Sequence, residues 1–336
     1  MKLIIQIPCY NEEGELARTI ADLPRTLAGV DAIEVLVIDD GSCDGTAEVA
    51  RRSGAHYLLR MPVHLGLAQA FSAGLDAALK LGADIVVNTD ADRQYPGDQI
   101  ALLIAPILSG RADMVIGDRA PHRSQHFGWI KRRLQRIGSW AVRQLSGTQV
   151  PDAASGFRAF SRRAALKLNV LTRFTYTVET IIQAGKKNIP LAHVPIRTNP
   201  ETRPSRLFGS VATYLRHSAS TMVRIYAMYE PLRVFGTLGA LAICTGAVIG
   251  MRFLLDYLAG DGAGHIQSLI LASVLLIVGF QTMLIGLVAD LIAGSRALVE
   301  DTLFRVRELE LHLGEGPEVE RLVEPAETPR SHARSS

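Results

Sequence analysis

Cysteine is scarce in this chain, and the three it has, Cys9, Cys43 and Cys244, are scattered. Neither a CxxC pair nor a histidine at zinc spacing accompanies them, which excludes a disulfide framework and a structural zinc site. The same scarcity points to a reducing, cytoplasmic setting for the soluble part. A strong charge of one sign is missing too: 36 Lys and Arg stand against 33 Asp and Glu, a net of +3. Without a domain-wide basic face, the composition argues against a dedicated nucleic-acid binder. There is no GxGxxG after the first apolar run, where "PCYNEE" stands instead, so the dinucleotide fingerprint is absent. The opening "MKLIIQIPCYNEE" has an apolar run too short for a signal peptide and lacks a small-residue cleavage site. It reads as a first strand.

What the chain has is apolar sequence in two distinct arrangements. Up to about residue 118, short β-branched runs alternate with helix-period segments. "KLIIQIP", "IEVLVIDD", "HYLLRMP", "DIVVNTD" and "ADMVIGD" are the predicted strands. "EEGELARTIADLPRTL", "DGTAEVARRSG", "GLAQAFSAGLDAALKLG" and "GDQIALLIAPILSG" are the helices between them. Such alternation predicts an open, mostly parallel α/β sheet covered on both faces. From Pro151 the pattern loosens: "PDAASGFRAFSRRAALKL" reads as a loop leading into a helix, "YTVETIIQAGKKNI" as a helix and "PLAHVPIRTN" as a strand. "PETRPSRLF" reads as a loop, followed by an amphipathic helix with a basic polar face. "VFGTLGALAICTGAVIGM" (234–251) and "IQSLILASVLLIVGFQTMLIGLVA" (266–289) carry no charge and are about the length of a bilayer span of ~20 residues. They predict a membrane hairpin. Arg224 and Arg233 before it and Arg296, Arg305 and Arg307 after it outnumber the single Arg252 in the connector. By the positive-inside rule, both flanks face the cytoplasm. The closing "GEGPEVERLVEPAETPRSHARSS" is polar and poor in aromatics, and reads as disordered.

Ligands of such sheets bind at the carboxyl ends of the strands, and the polar clusters "PCYNEE", "DDGSCDG", "DADRQYPG" and "GDRA" fall there. In "NTDADRQYPG", Asp90 and Asp92 at i and i+2 can face the same way and hold a hard divalent cation through oxygen, with Gln94 as a further ligand or an orienting group. A pair of solvated turn aspartates has the same spelling, and placement after an apolar strand favours the site. Asp39 and Asp40 end another strand; a carboxylate there accepts hydrogen bonds from a base or ribose, while Ser42 or Asp44 can cap the helix that follows.

"IPCYNEE", "VIDDGSCDGT", "NTDADRQYPG", "SGFRAF" and "VPIRTNPETRPSRLF", in this order and ahead of a membrane hairpin, resemble the family-2 inverting glycosyltransferases, in the branch that transfers sugars to polyprenyl phosphates. The motifs cover roughly the first two-thirds of the chain, and each alone is weak. The resemblance implies a GT-A catalytic fold, a UDP- or GDP-linked sugar donor, and Mg²⁺ or Mn²⁺. Carried over by position, Pro8, Tyr10, Glu12 and Asp40 hold the nucleotide, and Asp90, Asp92 and Gln94 hold the metal and diphosphate. Relatives suggest a homo-tetramer. Three departures stand out. Gly97 replaces a second Pro common after this run, and Leu67 lies where relatives often carry a basic residue. The QxxRW element of processive synthases is absent, because neither Trp129 nor Trp140 follows an Arg. Transfer of a single sugar is therefore expected.

The acceptor's chemistry adds a second set of residues. A hydroxyl acceptor needs a general base, whereas a lipid phosphate, with a second pKa near ~6, is largely deprotonated at neutral pH and needs cations to steer it. Arg119, Arg158, Arg203 and Arg206 are the candidates, with Ser155 and Gly156 shaping the acceptor loop. Asp92, Arg119 and Arg203 form the expected catalytic set. Glu179 or Asp152 becomes essential if the acceptor needs a base; for Glu179, pairing within its own helix is an equal reading. "KRRLQR" (131–136) is either a lipid-headgroup patch or a solvated helix face. The expected organisation is a GT-A domain over 1–204, a juxtamembrane helix over 205–230, a hairpin over 231–293 (about 232–257 and 266–290) and a cytoplasmic tail over 294–336. The expected function is metal-assisted, inverting transfer of one sugar to a polyprenyl phosphate in the cell membrane. The rivals are a different lipid or glycan acceptor and a catalytically silent nucleotide-sugar-binding scaffold.

Overall fold

The computed structural model describes residues 1–119, 139–140, 142–170, 176–199, 220, 223–224, 226–260, 266–314, 316–317 and 319–323. The described parts of 1–217 and 307–336 form one compact unit, and those of 218–306 a second.

The first unit is built on an eight-stranded sheet of order β7-β5-β6-β4-β1-β2-β3-β8. Strands β1 (Lys2–Cys9), β2 (Ala32–Asp39), β3 (Tyr57–Arg60) and β4 (Ile85–Asn88) run parallel. β5 (Met114–Asp118) and β7 (Leu191–Pro195) pair in parallel with each other. Helices α1 (Leu16–Ala21), α2 (Thr46–Arg52), α3 (Leu67–Lys80) and α4 (Ile100–Leu108) occupy the crossovers. β1 and β4 are buried almost throughout because both faces of the sheet are covered. α3 turns Ala68, Phe71, Leu75 and Ala78 inward at helical spacing.

Two features depart from expectation. "RAFS" is a strand, β6 (Arg158–Ser161), where the sequence reads as a loop entering α5 (Arg162–Lys167). It lies antiparallel between β4 and β5, all but its last residue buried, and carries the "SGF" loop to the end of β4. α6 (Tyr176–Lys186) follows. Second, the segment expected to be disordered contributes β8 (Glu320–Arg321), antiparallel to β3. Arg51 holds Glu320 through both Nε and Nη2 at 2.8 Å, and Leu322 N donates to His56 O. The sheet's edge is thereby covered.

The second unit contains α7 (Pro231–Leu258) and most of α8 (Ile266–Leu313), both long and apolar enough to cross a membrane. α8 outruns the expected span by more than twenty residues; past Ser295 it is charged, with Arg296–Glu300 and Arg305–Asp301 paired one turn apart. The pair packs along small residues seven apart: Gly239 and Gly246 on α7, with Ala272, Gly279 and Gly286 on α8, are buried. A Cβ on Gly279 would lie 2.7 Å from Ile243 Cγ1 and 2.8 Å from Gly239 O. Close backbone approach at small residues is the packing mode of helices that cross a membrane. Most of the expected juxtamembrane helix falls outside the described residues; of those described, 220, 223–224 and 226–229 are helical. Gly279→Leu is expected to lower the thermal midpoint of the detergent-solubilised protein by the equivalent of about 1–3 kcal/mol of overpacking. Gly294→Leu, with nothing within 4 Å, should leave it unchanged.

Candidate active site

The carboxyl ends of β1, β2, β3 and β4 meet along one side of the sheet, and their loops are stitched together. Asn11 N donates to Ser42 Oγ (2.9 Å), Cys43 N to Asn11 Oδ1 (2.9 Å), Glu12 N to Thr46 Oγ1 (2.8 Å) and Gly45 N to Glu13 Oε2 (3.0 Å). Glu12 is thus anchored by its own backbone, Pro8 is buried in β1, and Tyr10 is 39% exposed above them. Asp40 has a different occupation from the one expected. It is buried, and its carboxylate accepts Leu65 N (2.8 Å) and Gly66 N (2.9 Å), with His64 Nδ1 2.8 Å away. It therefore shapes the 64–66 loop. The His64 ring stacks on Tyr10 with centroids 3.8 Å apart. His64 carries no ligand-spacing signal in the sequence, and only the fold brings it here.

Asp90 and Asp92 follow β4 as predicted, and Asp90 is crowded. Gly156 faces it so closely that a Cβ there would lie 2.9 Å from one carboxylate oxygen and 3.0 Å from the other. Burial and then the charge of Asp92 push the Asp90 carboxyl up to about 7, against the pull of Arg119. The loop after it is tightly wound: Asp92 Oδ1 accepts Gln94 N at 3.0 Å, and Arg93 between them takes φ +59°. Among the described residues, no group of three His, Cys, Asp or Glu side chains is able to hold a metal ion. Two crowded carboxylates nonetheless suit a hard cation that keeps waters and completes its shell with a substrate's phosphate oxygens. Asp90 and Asp92 would hold it, with Gln94 beside them.

Beneath this pair lies a buried polar network that sequence reasoning missed. Gln6 Nε2 donates to Asn88 Oδ1 (2.9 Å); Asn88 Nδ2 donates to Gly156 O (2.9 Å) and Tyr176 Oη (2.8 Å); Gly156 N donates to Tyr95 Oη (3.3 Å). Phe71 stacks on Tyr176 at 3.9 Å, and Phe157 on Tyr95 at 4.9 Å. The hints in the sequence are Gln6 and Asn88, polar residues in otherwise apolar strands.

The predicted arginines separate. Arg119 leaves the end of β5 and grips Asp152 with Nε (2.7 Å) and Nη2 (3.0 Å). Asp152 is fully buried; burial pushes its carboxyl up, but the Arg119 guanidinium outweighs that and holds it below the usual range. The Nη1 of Arg119 has no partner among the described residues. Arg158 is a correction to the expected acceptor site. It is fully buried and spends its donors on Ser155 O (2.8 Å), Thr177 O (2.7 Å), Thr180 Oγ1 (2.6 Å) and Ala153 O (3.0 Å). Ser155 is fully buried with it. Both shape the acceptor loop from inside, with no surface to offer a phosphate. Glu179 is buried and accepts Gln183 Nε2 one turn along its helix (3.2 Å). Arg203, Arg206 and the "KRRLQR" run lie outside the described residues.

A model of "Glycosyl transferase family 2" matches residues 4–168. An uncharacterized glycosyltransferase of Mycobacterium bovis is 32% identical over 62% of this chain and 90% of its own length. The UDP-N-acetylglucosamine–dolichyl-phosphate N-acetylglucosaminyltransferase of Methanococcus voltae is 29% identical over 57% of this chain and 83% of its own. Among solved structures, glucosyl-3-phosphoglycerate synthase from Mycobacterium tuberculosis, in complex with Mn²⁺, UDP-glucose and phosphoglyceric acid, superposes with a TM-score of 0.55. It is 23% identical, over 67% of this chain and 80% of that one. That likeness fixes the GT-A-like mixed α/β fold.

Two outcomes follow from the site's electrostatics. Proton and cation compete for an Asp90 whose carboxyl titrates near 7, so Mn²⁺ affinity should rise with pH up to about 7 and flatten above it. Titration calorimetry at pH 6 in buffers of different ionisation enthalpy should show proton release on binding. Arg158→Ala leaves three carbonyls and a hydroxyl without their donor in the interior. It is expected to cost about 3–5 kcal/mol of stability by denaturant unfolding, and added acceptor should not offset the loss.

Proposed function

The chain belongs to glycosyl transferase family 2, and from that premise we propose that it moves one sugar, with inversion, from a UDP- or GDP-linked donor to a polyprenyl phosphate at the cytoplasmic face of a membrane. The observation that carries this reading is the commitment of Asp152. It is a buried carboxylate close to the reacting end of the sheet, yet both its oxygens are bonded to Arg119 and it is held ionised. A group so placed is a poor proton acceptor. Glu179, the other candidate base, is buried and bonded within its helix. A site in which both candidate bases are engaged suits an acceptor that arrives without the proton in question, which a phosphate does.

The residues then take the following parts. Tyr10 and Glu12 bind the nucleotide on a platform shaped by Pro8 and Asp40, and Asp90, Asp92 and Gln94 face the diphosphate. A bound Mg²⁺ or Mn²⁺ supplies positive charge for the leaving diphosphate. Arg119, fixed in plane by Asp152, presents its remaining N–H groups to the acceptor phosphate, and Arg203 and Arg206 are proposed to assist. An acceptor oxygen forms a bond to the anomeric carbon from the side opposite the leaving group. The bond from that carbon to the diphosphate oxygen breaks, and its electron pair leaves with the nucleoside diphosphate. No proton need move.

The apolar α7 and α8 support the membrane setting, and the arginines flanking them support cytoplasmic flanks. The test is transfer from a panel of radiolabelled nucleotide sugars to undecaprenyl phosphate in detergent. One donor should label the lipid, and a chelator should abolish the product. Asp92→Asn should lose about 100-fold or more in kcat. Arg119→Lys, which cannot hold Asp152 and a phosphate in one plane, should lose more activity than Asp152→Asn. Labelling of a hydroxyl acceptor in place of the phosphate would count against the reading.

A further inference from the structure

We infer that Asn199, just beyond the end of β7, is a positioning residue for the cation-binding loop. Four groups outside that loop hold its backbone. On one side, Thr19 Oγ1 of α1 donates to Ala91 O at 2.8 Å and Asp22 Oδ2 accepts Gly97 N at 3.1 Å. On the other, Asn199 makes two contacts at consecutive carbonyls: its Nδ2 donates to Arg93 O at 2.8 Å, and its backbone N donates to Gln94 O at 2.9 Å. Next to these, Gln99 Oε1 accepts Arg197 N at 3.2 Å.

What makes Asn199 the decisive anchor is the residue it holds. Arg93 sits at φ +59°, left-handed backbone that a non-glycine side chain disfavours. That turn is what lets Asp92 Oδ1 take Gln94 N at 3.0 Å and so aims the Asp92 carboxylate. If Arg93 relaxed to right-handed backbone, its carbonyl would swing away, the Asp92–Gln94 bond would open, and the Asp92 carboxylate would lose its anchor. Strained backbone persists where its surroundings over-determine it. Here the surroundings are the Asn199 side-chain amide on Arg93 O and the Asn199 backbone on Gln94 O. A site whose protein ligands are only two carboxylates and an amide depends heavily on such preorganisation.

This inference rests on Asp90, Asp92 and Gln94 being the cation's ligands. The test is titration of the full-length protein in detergent with Mn²⁺, with and without UDP or GDP, following free Mn²⁺ by its electron paramagnetic resonance signal. Asn199→Ala should weaken Mn²⁺ by roughly 10-fold, equivalent to about 1.4 kcal/mol, while the thermal midpoint in EDTA stays near that of wild type. Arg93→Gly removes the backbone penalty, because glycine adopts positive φ freely. The double variant Asn199→Ala with Arg93→Gly should therefore regain affinity to within about 3-fold of Arg93→Gly alone. A merely structural role for Asn199 would not give that rescue. Unchanged Mn²⁺ affinity in Asn199→Ala, or a double variant as weak as the single, would overturn the inference and leave the ligand assignment standing. A wild-type protein that binds no Mn²⁺ with either nucleotide would overturn the assignment, and this inference with it.

Discussion

Repulsion between Asp90 and Asp92, crowded against the Gly156 loop, is the constraint around which the site is organised. Where the dielectric is reduced, like charges repel more strongly than in bulk water, and the fold opposes this with few means. Arg119 lies close enough to pull the Asp90 carboxyl down, but burial and Asp92 win and leave it near 7. The pair is kept together only because its backbone has nowhere else to go. β4 is paired on both sides, Gly156 presses on Asp90, and Thr19 and Asn199 hold the turn beyond. A structure that keeps two carboxylates in such company is poised to take up positive charge.

The antiparallel strand β6 is what makes this crowding possible. Inserted between β4 and β5, it delivers the "SGF" loop to the end of β4, where the Asn88 amide fastens it through Gly156 O. Arg158 at the start of the same strand draws in the carbonyls of Ala153, Ser155 and Thr177. One buried cation thus organises the loop and α6 without a carboxylate of its own, solvated by backbone dipoles instead of water. Its guanidinium is lowered to about 10 by burial, which still leaves it charged at neutral pH.

Much of this was legible in the sequence, because the parallel half of the sheet writes itself in local signals. β-branched runs, helix-period segments and polar loops at the strand ends located Asp90 and Asp92 without knowledge of the contacts, while Tyr10 and Glu12 were singled out by the family resemblance. The two apolar helices were legible for the same reason: each contains an uncharged run about as long as a bilayer is thick. The remainder was not, for identifiable causes. Arg158 and Arg119 are spelled alike and both follow the pattern of a phosphate-binding arginine; only the tertiary path decides that one is enclosed by carbonyls. β6 has no parallel-strand signature, since its pairing is antiparallel and long-range. β8 is two residues long and pairs across more than 260 positions with β3, so no local periodicity marks it. The seven-residue spacing of small residues along α7 and α8 is visible in retrospect, yet a glycine in an apolar helix shows its purpose only once its neighbour is known.

The pairing of Arg119 with Asp152 ties these parts to the proposed chemistry. A free arginine side chain carries roughly 2 kcal/mol of rotamer entropy, part of which is lost when it binds a phosphate. Here that loss has already occurred on folding, because Asp152 holds the guanidinium by two bonds in a setting from which water is largely excluded. The same two bonds occupy the carboxylate and keep it ionised, so one interaction both prepares a cation for an anionic acceptor and withdraws a base from a neutral one. On the proposed reading, selectivity between a phosphate and a hydroxyl needs no separate device. It follows from which partner of the pair has hydrogen-bonding capacity to spare, and among the described residues that partner is the arginine.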